Sequence, residues 1–235
     1  MTSSPQQVLL SWSGGKDAAW TLHLLKQDPT VRVVGLFTTL TEGQERASMQ
    51  GVRRDVICAQ ADAAGLPLIE SMIPQDCDNA RYEAAFADGL AQAAARWPGL
   101  STMAYGDLLL ADVRDWRRAL CARLGWEALF PLFGRDTGTV AADMIAAGLR
   151  THLCCVDTHQ LDAGFAGSRF DAALLESLPA GVDPCGENGE FHTCVSAGPM
   201  FDRPLAIAQG ETVLRDGRFA YTDFVPAGYP RSAAA

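Results

Sequence analysis

The chain has 235 residues, 48% of them hydrophobic and 20% charged, which is enough apolar material for one full globular core or one and a half. Lysine and arginine total 19 against 28 acidic residues, a net charge of −9. So acidic a surface repels nucleic-acid phosphates unless a local basic stripe intervenes, and only Arg53-Arg54 and Arg114 with Arg117-Arg118 offer one, each set interrupted by acids. No apolar run reaches the roughly 18 residues that span a bilayer. Met1 to Gln7 has no basic residue and leads into a strand, so no signal peptide is read there and a cytoplasmic location is expected. Seven cysteines without a C-x-x-C pair read as reduced, buried small residues, Cys154 and Cys155 above all; Cys185, His192 and Cys194 lack the spacing of zinc ligands.

Val8 to Trp12 is an apolar strand that runs into Ser13-Gly14-Gly15-Lys16-Asp17, and Ala18, Ala19, Leu22 and Leu25 then mark a helix. Paired glycines let the backbone turn sharply and bring its N–H groups against an anion. The helix N-terminus adds a partial positive charge and Lys16 a whole one. The stretch is a phosphate cradle. It is not a Walker loop, since Leu10 and Asp17 stand where that motif needs Gly and Ser or Thr, and no G-x-G-x-x-G follows the strand.

Val31 to Thr39 reads as a second buried strand and residues 40 to 48 as a polar loop. A helix from about Ser48 to Gly65 and a strand over Leu68 to Ile73 come next. Asn79 to Trp97 is an alanine-rich helix with Tyr82, Phe86 and Leu90 on its core face. A strand at Thr102 to Tyr105 breaks at Gly106-Asp107. A helix over Ala111 to Leu124, an apolar piece at Ala128 to Phe130, the polar turn Gly134 to Thr137, a helix over Val140 to Leu149 and a strand over Thr151 to Val156 complete the run. Strands alternating with helices predict an α/β fold, a doubly wound parallel sheet with right-handed crossovers. Beyond about residue 160 glycine and proline become frequent, and Asp216-Gly217 signals a hairpin. We read a nucleotide-binding domain over 1–157 and a smaller substrate-binding part over 158–235.

That second part holds Asp183-Pro184-Cys185-Gly186-Glu187-Asn188-Gly189-Glu190-Phe191-His192-Thr193, a density of dissimilar polar groups that packing does not explain. Strand alternation puts Glu190 and His192 on one face with Phe191 in the core, where a carboxylate and an imidazole orient each other for proton transfer.

The first of these stretches resembles the PP-loop of ATP pyrophosphatases, which cleave ATP between its α and β phosphates; Ala18 stands where that pattern ends in serine. Together with Gly186-Glu187-Asn188-Gly189-Glu190-Phe191-His192-Thr193, Tyr105-Gly106-Asp107 and Gly134-Arg135-Asp136-Thr137, it resembles the diphthine–ammonia ligase family, of a bacterial type. The resemblance implies an adenine nucleotide alpha hydrolase fold, Rossmann-like, with a five-stranded parallel sheet and ATP at its carboxyl edge. It implies Ser13, Gly14, Gly15, Lys16 and Asp17 around the phosphates, Phe37, Thr38 and Thr39 near adenosine, and Gly106 with Asp107 by the α-phosphate. Glu187, Asn188, Glu190, His192 and Thr193 would face the substrate, with Arg135, Asp136 and Thr137 beside them. The implied reaction is an amide ligation: a carboxylate, small or protein-borne, is adenylated with loss of pyrophosphate and then meets ammonia. Lys16 and Asp107 would act on the first step, Glu187, Glu190 or His192 would take the ammonium proton, and Asp17 or Asp107 would hold Mg²⁺. Sulfur transfer to tRNA and a nucleotide sensor without turnover are the alternatives. Oligomeric state is not read from the sequence, although a homodimer is compatible with it.

Overall fold

A computed structural model describes residues 4–48 and 50–227. Met1–Ser3 of the stretch read as no signal peptide, Met49 of the expected 48–65 helix, and residues 228–235 of the C-terminal part lie outside it. Five parallel strands form the main sheet in the order β4-β2-β1-β5-β6: Leu68–Ile73, Val31–Thr41, Gln6–Ser11, Thr102–Ala104 and Glu127–Leu129. The short β3 (Arg46–Ala47) turns back antiparallel on the end of β2. Alternation along β1 assigns its two faces: Val8 and Leu10 enter one apolar cluster, with helices α1 (Lys16–Gln27) and α2 (Arg54–Ala64). Leu9 enters the other, with α3 (Asn79–Arg96) and α4 (Ala111–Arg123). Both faces being covered, the central strands read as unbroken apolar runs, and the doubly wound expectation holds.

Two element boundaries differ from the sequence reading for local reasons. Helix α2 begins at Arg54 rather than near Ser48 because Gly51, at φ +71, turns the chain after β3 and Val52 hydrogen-bonds back to Ala47. Helix α5 spans Thr137–Ala146, three residues earlier than expected. Asp136 caps it by accepting the Thr139 N–H at 2.8 Å, and Gly148 at φ +80 unwinds its other end.

The strand over 151–156, expected to extend the parallel sheet, does not. It is β7 (Arg150–Asp157), which pairs antiparallel with β8 (Phe191–Ala197) and β10 (Phe219–Pro226). With β9 (Ile207–Arg215) these make a four-stranded sheet in the order β8-β7-β10-β9. Helix α6 (Ala172–Ser177) lies in the connection from β7 to β8. The β9–β10 hairpin turns as predicted, Asp216 and Gly217 both taking positive φ. This second sheet shares the cluster of α1 and α2: Leu153, Val156, Phe191, Cys194 and Val195 pack with Trp12, Leu22 and Ile57. Cys154 and Cys155 are buried there, as expected of structural thiols. Among the described residues no helix is long and apolar enough to cross a membrane.

A polar clamp fastens the two sheets. Asp223 of β10 accepts from Arg46 at 3.1 Å and from Arg53 at 2.6–2.9 Å. Burial would raise this carboxyl, but the two guanidinium groups outweigh it and hold it below the ordinary aspartate value. Asp223→Ala should therefore cost about 1–3 kcal/mol, read as a lower urea midpoint at unchanged slope. Since the folded-state carboxyl is depressed, the contribution is present above the unfolded-state pKa and fades as pH falls through the folded one.

Candidate functional site

The glycine loop read as a phosphate cradle begins where β1 ends. Gly14 takes φ +81, and a Cβ placed on it would sit 2.6 Å from Ile57 Cδ1 and 2.9 Å from Gln60 Oε1, so only glycine fits. Its carbonyl accepts from Gln60 Nε2 at 3.0 Å and from the Val195 N–H of β8 at 3.0 Å. Gln60 Nε2 also donates to Val195 O at 2.8 Å, and Gln60 Oε1 accepts from Trp12 Nε1 at 2.9 Å. The side chain is fully buried and fully satisfied. A peptide plane is rigid, so anchoring the Gly14 carbonyl on one side aims the Gly15 N–H to the other. Ser13 Oγ accepts that N–H at 3.3 Å, and Thr193 Oγ1 accepts the Lys16 N–H at 3.0 Å.

Lys16 is buried, its Nζ 2.9 Å from Asp17 Oδ2 and 5.6 Å from the centre of the Phe191 ring. Burial pulls the ammonium down, but the charges of Asp17 and Glu187 win and hold it above the ordinary lysine value. Asp17 Oδ1 is buried and accepts no hydrogen bond from the described residues. The turn after β5 closes on this loop: a Cβ on Gly106 would lie 2.8 Å from the Asp17 carbonyl carbon. Asp107 comes with it. Arg117 Nε stands 3.3 Å from Asp107 Oδ2, but the pair is not aligned as a hydrogen bond, and that oxygen too is buried without a donor. Burial raises Asp107, Arg117 opposes, and the like charge of Asp17 adds to the rise.

The loop 183–190 is built around its own carboxylates. Glu190 is buried; its Oε1 accepts from the Asp183 N–H at 2.8 Å and Asn188 Nδ2 at 3.1 Å, its Oε2 from the Asn188 N–H at 2.9 Å. Asp183 Oδ1 accepts the Cys185 and Glu187 N–H groups, and its Oδ2 takes the Thr137 hydroxyl at 2.7 Å. Glu187 reaches across to the turn after β5, where its Oε2 accepts from the Leu108 and Leu109 N–H groups, each at 3.2 Å. Burial, then the charge of Asp17, pushes Glu187 up to about 7 against the pull of Lys16 and those two donors.

The structure thus brings together Ser13, Gly14, Gly15, Lys16, Asp17, Gly106, Asp107, Glu187 and Thr193. It gives other surroundings to the rest. Phe37 is core, edge-on to Phe86 at 5.2 Å, while Thr38 beside it is buried with a hydroxyl that has no partner. Thr39 accepts from Ser48 through its carbonyl. Arg135 is exposed, Asp136 caps α5, and Thr137 braces Asp183. Among the described residues no hydrogen bond joins Glu190 to His192, so the expected carboxylate–imidazole couple does not form: Glu190 turns into its own loop. Burial, then Lys16, lowers His192 to about 4, which leaves the imidazole neutral at pH 7.

Models of the diphthamide synthase N-terminal and C-terminal domains match residues 6–128 and 136–221. The chain belongs to the diphthamide synthase family. Its similarity to diphthine–ammonia ligase of Schizosaccharomyces pombe is 26% identity over 223 residues, 88% of this chain and 37% of that protein. For the Saccharomyces cerevisiae ligase the figures are 25% over 228 residues, 80% and 32%; for the Danio rerio ligase, 32% over 125 residues and 49% of each. The chain spans about a third of the length of the two yeast relatives.

Gln60 escaped the sequence reading of this site, and Asp183 was read only as the first residue of the polar stretch 183–193, without the bracing role it takes. For Gln60 there was a signal: it is the polar residue on the stripe Val56, Ile57, Gln60, Ala61, Ala64 that helical periodicity turns to the core. Gln60→Leu keeps the volume but removes both donors from Gly14 O and Val195 O. It should weaken ATP binding about tenfold or more, about 1–3 kcal/mol for a buried carbonyl left short of donors, with the far-UV dichroism unchanged. Equal affinity in calorimetry would show that the loop holds its shape without Gln60.

Proposed function

We propose that the chain is an ATP-dependent amide ligase of the diphthine–ammonia ligase kind, acting in the cytoplasm on a carboxylate and ammonia. The observation that carries this reading is the convergence, on one edge of the parallel sheet, of a glycine cradle with Lys16 and a carboxyl, Glu187, that titrates near neutrality. All seven cysteines are free, in keeping with a reducing compartment.

In the proposed reaction ATP lies with its phosphates on Gly14, Gly15 and Lys16. A carboxylate oxygen of the acceptor attacks the α-phosphorus, the α–β bridging bond breaks, and pyrophosphate leaves. The obstacle is electrostatic, anion meeting anion, and Lys16 with the α1 N-terminus offsets it. Two buried carboxylate oxygens without donors, Asp17 Oδ1 and Asp107 Oδ2, suit a cation, and these residues would hold a Mg²⁺ ion. When bound, that ion would neutralise charge on the triphosphate. The acyl-adenylate is then attacked by ammonia, and AMP departs. Ammonium must first lose a proton, and Glu187 is the group matched to take it: Oε1 carries no hydrogen bond from the described residues, and a pKa of about 7 leaves it substantially ionised at neutral pH. His192, neutral and half-buried, and Glu190, occupied by its loop, are weaker candidates for that role.

Sulfur transfer is not favoured. Cys185, the thiol that interacts with Lys16, is buried and pushed up to about 12, whereas a sulfur-carrying cysteine needs its thiolate.

Incubating the chain with ATP, Mg²⁺, ¹⁵N-ammonium and a panel of carboxylic acids should yield AMP, pyrophosphate and a labelled amide, with turnover reduced at least about 10²-fold in Lys16→Ala. ADP and phosphate as products would overturn the reading. Glu187→Gln should lower ammonia-dependent turnover by about 10²–10⁴-fold while acid-dependent pyrophosphate exchange persists. Native turnover should fall as pH drops below about 7, where Glu187 gains its proton. Retention of that limb in Glu187→Gln would remove Glu187 from the proton transfer.

A further inference from the structure

Strand β9 is the edge of the second sheet, and among the described residues it pairs only with β10. It is exposed along eight of its nine residues, on both faces: Val213 is 41% and Leu214 60% accessible. An edge strand of this length offers a row of unpaired backbone groups, and natural proteins blunt such edges with proline, lysine or a covering element. Ile207-Ala208-Gln209-Gly210-Glu211-Thr212-Val213-Leu214-Arg215 has neither proline nor lysine, and it is not covered by any described element.

Its residues also fit a second copy of themselves. In an antiparallel pair with a two-fold axis at Val213, Glu211 of each copy stands opposite Arg215 of the other, and Thr212 opposite Leu214. Alternation puts Glu211, Val213 and Arg215 on one face, so the Val213 pair is flanked on each side by an ion pair. Moving the axis to Glu211 sets two like charges against each other, and moving it to Thr212 leaves both charges without an opposite. Only the Val213 register satisfies the strand. Glu211 makes no hydrogen bond within the described chain, and the Arg215 guanidinium lies over Tyr221 at 5.7 Å, on the face shared with Glu211.

We propose that β9 is a self-association edge, through which two copies join their four-stranded sheets into one continuous antiparallel sheet about a two-fold axis at Val213. The far edge of each sheet is β8, which supplies Val195 and Thr193 to the phosphate loop. The dimer therefore has one nucleotide-binding loop braced at either end of a single sheet. Nothing in this proposal depends on which reaction the site performs.

Sedimentation equilibrium of the full chain over a range of concentrations tests it. The native protein should approach twice the 25.1 kDa chain mass. Glu211→Arg sets an arginine against Arg215 in each of the two symmetric pairs and should raise the dimer dissociation constant about tenfold or more. The double exchange Glu211→Arg with Arg215→Glu recreates both ion pairs in reverse and should restore it. Both positions are exposed, so far-UV dichroism should be the same in all three proteins. A native chain that is monomeric at every concentration, because a strand of another protein is the true occupant or because the edge stays unpaired, would overturn the proposal. So would a dimer indifferent to Glu211→Arg, or a double exchange that fails to recover it.

Discussion

The Gly14 carbonyl is pinned by two donors on the side away from the Gly15 N–H, and most of the polar architecture around Lys16 follows from that constraint. A residue at φ +81 with a side chain 2.6 Å from Ile57 would be strained twice over, by its backbone and by the collision. Glycine removes both penalties but leaves the backbone free to turn elsewhere. Two donors, Gln60 Nε2 and the Val195 N–H, remove that freedom. They come from α2, a helix packed on the parallel sheet, and from β8 of the second sheet, so both halves of the chain hold the loop. Trp12, which passes its indole N–H to Gln60 while its ring lies 6.1 Å from Phe201, ties the same network to the apolar cluster. The diphthamide synthase loop is thereby preorganised by burial as much as by hydrogen bonding.

Buried carboxylates in this structure fall into two classes, and the donors they receive decide which. Asp157 is as buried as any, yet Arg218 contacts it at 2.6 and 2.9 Å and Gln160 adds a third donor, so the carboxyl sits far below its ordinary value despite desolvation. Glu187 has two longer backbone bonds and a like charge in Asp17, and there desolvation wins. Glu190 and Asp183 Oδ1 spend their lone pairs on the loop's own N–H groups, while Asp183 Oδ2 takes the Thr137 hydroxyl. That expenditure fixes the backbone of residues 183–190 and delivers Glu187 to the turn after β5 in a defined orientation. Two acids hold a third in place.

The parallel sheet was legible because its strands are apolar runs bounded by glycine or polar punctuation, and the sharp turn into α1 because Gly14 and Gly15 are contiguous. Strand β7 misled for the same reason that the others informed. A buried strand after a helix reads alike whether its partners are parallel or antiparallel, and register with Phe191 or Tyr221 is a long-range property. Glu190 and His192 share a two-residue spacing that alternation reads as one face. The spacing does not reveal that Glu190 lies before the strand begins and folds into its loop. Thr193 was singled out for its place in a motif; that its hydroxyl would meet Lys16 N, 177 residues away in sequence, no local pattern can say.

Charge balance ties the site's parts to one another. Among the described residues, Asp17, Asp107, Asp183 and a Glu187 pushed up to about 7 are set against Lys16 and Arg117, in a chain already at −9. Bringing a triphosphate into such surroundings is uphill unless positive charge arrives with it or protons are taken up. On the reading proposed above both routes are built in. Asp17 Oδ1 and Asp107 Oδ2 are buried oxygens with no donor among the described residues, and Glu187 can bind a proton near neutral pH. The same excess of acid favours ammonium over a second anion at the amidation step. On that reading, a site that takes up a cation with ATP and then draws in the protonated form of its nitrogen donor would need a base of its own to release the nucleophile, and Glu187, pushed up to about 7, is the carboxyl matched to that task.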